Sequence, residues 1–211
     1  PFNNISLNKF KSIKINQALK HPNWKMGKKI SIDSATMINK VYEVIEARNI
    51  FNINYKKIKI LTHPKSYVHA ILKFNNGLIN IIAHDTTMKI PIFNTFYSDH
   101  EKKFSSGKIK ILKLNNLNLQ TVDLNKYPHV KVIEKLPAKS SLFETVIVSV
   151  NDELVKLYLE NKIKFKDISK YFFKFILNKR FQKYKNIKAD KIEKILSLNK
   201  YVRLKINTIS I

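Results

Sequence analysis

The sequence predicts an α+β fold, with helices packed on one face of a small sheet and a helical bundle behind it. Three observations carry that expectation. Met37, Ile38, Val41, Val44 and Ile45 recur at helical spacing in a stretch from about Ala35 to Phe51. Two β-rich segments, Lys56–Thr62 and Tyr67–Phe74, precede an Asn76-Gly77 pair, the signature of a hairpin turn into a strand at Leu78–Ala83. From His129 onward the apolar period is helical again.

Taken in order, a short helix is expected near Asn16–Lys20. A loop follows from His21, where Pro22 holds its predecessor in extended or turn geometry and Gly27 permits a tight turn. The β-branched run Ile30-Ser31-Ile32 reads as a strand. Asp33-Ser34-Ala35-Thr36 offers N-cap residues in front of the main helix. Alternation of Val68, Ala70, Leu72 and Phe74 predicts a sheet with one buried face, and Pro91 is placed to open a helix over Ile92–Tyr97. The stretch from Asp99 to Lys126 is polar and weakly alternating, a linker with short strands. Candidate helices then follow at Leu142–Leu159, Ile168–Leu177 and Ile192–Leu198, with Asp167 as an N-cap. The domain reading is 1–98, a linker at 99–128, and a helical domain at 129–211. No internal repeat is evident.

Composition narrows the function classes. With no cysteine, disulfides, thiolate catalysis and Cys-ligated zinc are excluded, and a cytoplasmic setting fits. No run of about 18 apolar residues is present, so no helical membrane span is expected. The opening PFNNISLNKFKSIK lacks the apolar core of a signal peptide and an initiator Met, and reads as the middle of a longer chain. The net charge of +25 would ordinarily suggest nucleic acid. Lysine is spread nearly everywhere, however, beside abundant Asn and Ile and only 3 Gly, a compositional bias rather than a patch. In the densest basic stretch, Tyr171 to Lys188, the aromatics Phe172, Phe173 and Phe175 suit a helix core better than base stacking. A basic nucleic-acid-binding helical module is therefore the alternative, and no specific nucleic-acid partner is expected.

The chemistry concentrates between His21 and Arg48. Asn39, Lys40 and Glu43 share one helix surface through three- and four-residue spacing. A helix start with Ser34, followed by Asn39 and Lys40, can cradle phosphate through backbone N–H groups, a hydroxyl, an amide and an ammonium. Glu43 is a hard oxygen donor suited to Mg²⁺ or Mn²⁺. By spacing alone the same residues also describe a capped surface helix with an ordinary Lys–Glu pair. Elsewhere, His63 reads as structural, His69 points away from the face of Val68 and Ala70, and Asp85 reads as a solvated strand end. His21, His63 and His69 lack the helical spacing of a convincing zinc site.

The run HPNWKMGKKISIDSATMINK resembles the catalytic domain of the 1-deoxy-D-xylulose 5-phosphate reductoisomerase family. The likeness continues through Ile45-Glu46-Ala47-Arg48, His63-Pro64-Lys65-Ser66-Tyr67-Val68-His69, Met88 and Pro91, and thins after the first 100 residues or so. It implies an NADPH- and metal-dependent enzyme of isoprenoid precursor synthesis, turning a small phosphorylated sugar, 1-deoxy-D-xylulose 5-phosphate, into 2-C-methyl-D-erythritol 4-phosphate. Ser34, Asn39 and Lys40 match phosphate-binding positions, and His21 a substrate-side histidine beside them. Glu43 matches one of the metal carboxylates. Trp24 and Met26 match a lid over the substrate, while His69 and Met88 match pocket-lining residues. The implied assembly is a homodimer with Mg²⁺ or Mn²⁺. The family's Gly-rich dinucleotide-binding domain and its Asp-Ser-Glu metal segment have no counterpart in these residues. The chain departs from the pattern at Ile38, at Val41, at His84-Asp85-Thr86-Thr87 before Met88, and at Ser149 and Asp152. These departures also allow a catalytically dead paralogue.

Overall fold

The computed structural model describes residues 2, 5–6, 9–10, 13–20, 26–97, 102–104 and 111–208. Among them the α+β class holds: helices dominate, beside two small two-stranded sheets. The chain divides into two compact units. One comprises residues 1–21, 26–60 and 122–211, and the other residues 22–25 and 61–121.

The first unit opens with α1 (Ile15–Ala18), α2 (Lys28–Thr36) and α3 (Ile38–Phe51). Where the sequence suggests a strand at Ile30–Ile32 and one helix from Ala35, there are two helices broken at Met37. That residue takes the left-handed conformation at φ 60° and donates its N–H to the Ser34 carbonyl. The β-branched run yields because a helix buries one face completely, with Ile32 and Ala35 wholly enclosed. Lys29 and Asp33, four apart, pair along the same helix. A left-handed methionine costs on the order of 1–2 kcal/mol, offset here by burial of Met37 and Ile38. Asp33 is thus buried in mid-helix instead of capping; Gly27 takes the N-cap position.

The expected strand over Lys56–Thr62 opens instead as a 3₁₀ turn at Tyr55–Lys57, capped by the Asn54 side chain accepting from the Lys56 N–H, and runs on without regular structure to residue 60. Asn54 competes with extended backbone through this local bond. Only β1 (Leu61–Thr62) remains, in the second unit, antiparallel to β4 (Gln120–Thr121). Between them β2 (Val68–Lys73) and β3 (Ile79–Ala83) form an antiparallel hairpin with a bulge between Val68 and Ala70. The turn uses Gly77 at φ 88°, which a side chain would strain. The anticipated buried face does not form within this unit: Leu72, Phe74, Ile79, Ile81 and Ile82 are all exposed. Helix α4 (Lys89–Phe96) begins two residues before Pro91, a position a helix's first turn tolerates. A short α5 (Ile111–Leu114) lies in the segment read as linker.

The rest of the first unit is helical, with a 3₁₀ segment at Pro128–Lys135 followed by α6 (Leu142–Leu159), α7 (Phe165–Ile176), α8 (Lys179–Gln182) and α9 (Ile192–Asn207). Ser141 caps α6 by accepting from the Phe143 N–H. In α7 the residue at the cap is Lys164; Asp167, one turn in, reaches back to accept the Lys164 N–H. Helix α6 is the hub, packing on α2, α7 and α9. Val146, Ile147, Val150 and Leu154 are wholly buried, as are Phe172 of α7 and Val202 and Ile206 of α9. Phe172 and Phe175 are therefore core residues.

Candidate functional site

Breaking the helix at Met37 gives α3 its own N-terminus, immediately before Asn39 and Lys40. The helix start proposed at Ser34 thus moves four residues on: Ser34 sits in the last turn of α2, and its carbonyl closes the Met37 turn. Across the first two turns of α3 three polar side chains meet. Asn39 Nδ2 donates to Glu43 Oε1 at 2.8 Å. Lys40 Nζ reaches both Glu43 oxygens, at 2.8 and 2.7 Å. Lys40 and Glu43 are each about half exposed, so the cluster opens to solvent. One carboxylate, one ammonium and one amide converge as the spacing suggests.

Of the other expected residues, Met26 is half-buried just ahead of α2, while His21 and Trp24 lie outside the described residues. His69 and Met88 belong to the second unit. The His69 ring stacks on His84 with centroids 3.6 Å apart, and Met88 is exposed at the N-cap of α4. His63 does what its sequence context suggests, its Nε2 accepting the Val68 N–H at 3.2 Å to close the loop into β2. Asp85, read as solvated, pairs with Lys113 at 3.6 Å.

Behind the cluster lies a polar network that sequence reasoning missed. Asp33 is fully buried; its Oδ1 accepts from Asn151 Nδ2 of α6 at 2.8 Å. Lys29 bridges Asp33, at 2.5 Å, and Asp152, at 2.9 Å. Arg203 of α9 holds Asp152 at 2.8 Å and Glu153 at 3.5 Å, and its Nε donates to Asn199. Burial pushes the Asp33 carboxyl up, and Lys29 and Asn151 pull it part of the way back. Burial alone would lower the Lys29 ammonium, but Asp33 and Asp152 outweigh it and leave it above the ordinary lysine value. The available signal was Ser149, Asn151 and Glu153 at alternating positions inside the apolar α6, each buried. A polar group in a helix core demands a partner.

The donor set bears on a metal. Glu43 could supply one hard oxygen, but among the described residues no three His, Asp or Glu side chains gather into a metal-holding group. A divalent cage needs more oxygen than this cluster gives.

The chain matches two family descriptions. Residues 1–51 match the "1-deoxy-D-xylulose 5-phosphate reductoisomerase C-terminal domain", and residues 85–205 match the "DXP reductoisomerase C-terminal domain". It is 56% identical over 211 residues to 1-deoxy-D-xylulose 5-phosphate reductoisomerase of Pelagibacter ubique, covering all of this chain and 54% of that one. Against the enzyme of a Sulfurihydrogenibium species the identity is 36% over 195 residues, covering 92% of this chain and 51% of the relative. Among solved structures, DOX-P reductoisomerase in complex with NADPH, fosmidomycin and magnesium superposes with a TM-score of 0.87 at 27% identity. That match covers 98% of this chain and 52% of that one. The Zymomonas mobilis enzyme in complex with NADPH gives 0.82 at 27% identity, covering 97% and 52%. The chain thus spans about half the length of the relatives it matches. It belongs to the 1-deoxy-D-xylulose 5-phosphate reductoisomerase family and carries that family's C-terminal domains.

Proposed function

We propose that this chain is the substrate-binding and C-terminal part of an NADPH-dependent reductoisomerase that converts 1-deoxy-D-xylulose 5-phosphate to 2-C-methyl-D-erythritol 4-phosphate. The observation that carries the reading is the convergence of Asn39, Lys40 and Glu43 at the start of α3, inside the segment matched to the family. Lys40 and Asn39 bind the substrate phosphate, with the Ser34 hydroxyl and His21 completing the site. A charge-assisted bond from an ammonium to a phosphate oxygen is among the stronger polar contacts available. Trp24 and Met26 close over the substrate and exclude water; His69 and Met88 line the pocket. Functionally, residues 1–98 carry these contacts, residues 99–128 connect, and residues 129–211 support them.

Glu43 would supply one oxygen to Mg²⁺ or Mn²⁺, with the remaining ligands lying outside the described residues. When bound, such a cation polarises the carbonyl and hydroxyl oxygens of a keto sugar. We give Glu43 a second role. Its carboxylate occupies Lys40 and Asn39, the same donors the phosphate needs. Were that carboxylate to turn to a cation, Lys40 and Asn39 would be left to face the anion. NADPH is held by chain beyond this part. The working enzyme is a cytoplasmic homodimer, with no specific nucleic-acid partner.

The test is a fusion of these 211 residues behind the amino-terminal half of the Pelagibacter ubique relative. NADPH oxidation that depends on 1-deoxy-D-xylulose 5-phosphate and Mg²⁺ is expected. Lys40→Ala should raise KM by roughly 1.5–3 kcal/mol of lost binding, the range for a hydrogen bond to a charged group. A well-folded fusion without turnover would favour the catalytically dead paralogue.

A further inference from the structure

We propose that Asn151, in the middle of α6, is a positioning residue for the anion site, acting through Asp33. The proposal rests on the reading of Asn39 and Lys40 as phosphate donors and adds what aims them. The path is short and covalent after its first step. Asn151 Nδ2 bonds Asp33 Oδ1 at 2.8 Å, 118 residues away in sequence. Asp33 begins the last turn of α2, where its carbonyl accepts from the Thr36 hydroxyl. The turn ends at left-handed Met37, whose N–H returns to Ser34 and whose carbonyl accepts from the Lys40 N–H. Met37 and Ile38 are buried, so the first turn of α3 has little freedom once α2 is fixed.

Two buried carboxylates in one network need a reason. Lys29, Lys156 and Arg203 face Asp33, Asp152 and Glu153, three cations against three carboxylates. Asp33 and Glu153 are almost entirely enclosed. Buried ion pairs add little net stability over apolar residues of similar size, because desolvation offsets the attraction. Their use here is directional. Buried Ile32 and Ala35 would hold α2 in place yet tolerate sliding or rotation, since apolar contact is non-directional. The Asn151 amide and the Lys29 bridge to Asp152 fix both its axial position and its rotation. Arg203 extends the clamp to α9 through Asp152 and Asn199, and Asn199 donates to Ser149 at 2.8 Å. The helical bundle thereby sets the register of the residues that meet the anion.

The experiment measures inorganic phosphate affinity of the 211-residue chain by NMR titration, well below the unfolding midpoint of every variant, so that only folded protein is read. Lys40→Ala defines the site. Asn151→Leu removes the amide at similar volume and should weaken phosphate binding on the order of tenfold, as expected when binding groups are misplaced by about an ångström. Asp33→Asn keeps an acceptor for Asn151 and should bind phosphate nearly as the parent does. Where Asn151→Leu does not fold, Asn151→Ala, which cannot reach Asp33, gives the same reading. Unchanged affinity in Asn151→Leu or Asn151→Ala, with only a lower midpoint, would show a merely stabilising residue and overturn the proposal. If Lys40→Ala binds phosphate as well as the parent, the anion-site reading itself fails, and positioning fails with it.

Discussion

At the scale of single residues, the informative conflict is at Glu43, whose carboxylate holds both Lys40 and Asn39. With no cation present, replacing the carboxylate by a neutral amide frees the ammonium. Glu43→Gln should therefore tighten inorganic phosphate binding to the chain, while in the fusion enzyme, on the metal role proposed for Glu43, it should cut kcat because a neutral amide oxygen holds a divalent cation more weakly than a carboxylate. The two effects have opposite signs, which a simple loss of structure cannot produce. Weaker phosphate binding in Glu43→Gln would contradict the competition.

His129 gives a second residue-scale expectation. It is fully buried against Phe172, with ring centroids 4.7 Å apart; Nδ1 lies 3.3 Å from the Ser169 hydroxyl and Nε2 has no partner. Burial pulls its pKa down from 6.5 to about 3. A depressed folded value means that protonation favours the unfolded chain. The stability it contributes is complete above about 6.5 and drains as pH falls toward about 3, at about 1.4 kcal/mol per pH unit. Between pH 7 and pH 5 the unfolding free energy should fall further for the parent than for His129→Phe, by roughly 2 kcal/mol. Equal slopes would show that His129 does not titrate this way.

At the scale of elements, legibility followed how local the determining interactions are. Helix α6 was readable end to end from its apolar period, even though buried Ser149, Asn151 and Glu153 interrupt it; the structure adds Ser141 as its N-cap. Removing that cap should cost on the order of 1 kcal/mol: Ser141→Ala is expected to lower the unfolding free energy by that amount with little change in denaturant slope. Residues 28–38 were misread because three adjacent β-branched or small residues look like a strand locally. What decides the matter is long-range: Ile32 buried in the core and Asp33 bonded to Asn151. The left-handed Met37 was invisible for the same reason, since a non-glycine in that conformation has no sequence signature. Yet the i, i+3 and i, i+4 spacing of Asn39, Lys40 and Glu43 survived the error. All three lie beyond the break, and their mutual geometry needs only α3.

At the scale of the whole molecule, the net charge of +25 has a simple consequence. The chain should bind DNA weakly and without sequence preference, and binding should collapse as salt rises, because counterion release drives it. Sequence-specific binding that persists at physiological salt would favour the nucleic-acid alternative.

Apolar exposure leads to a more specific expectation. In the β2–β3 hairpin, Ile71 faces Ile81, and Ile79 lies opposite Lys73. Ile79 and Ile81 are 58% and 50% exposed, and on the other face Leu72 and Ile82 are 44% and 48% exposed. An isolated two-stranded hairpin is marginal in water, and one apolar on both faces gains by burying them. In the proposed homodimer such a hairpin is a natural contact, and in the bare chain it should drive self-association. Sedimentation should show concentration-dependent oligomers of the 211-residue chain. The double variant Ile79→Lys, Ile81→Lys adds two charges to an already basic surface and should shift the chain to monomer. The unfolding midpoint should hardly move, because neither side chain lies in a core. A variant that still associates would place the contact elsewhere; one that unfolds would show that the hairpin face is packed within the chain in solution.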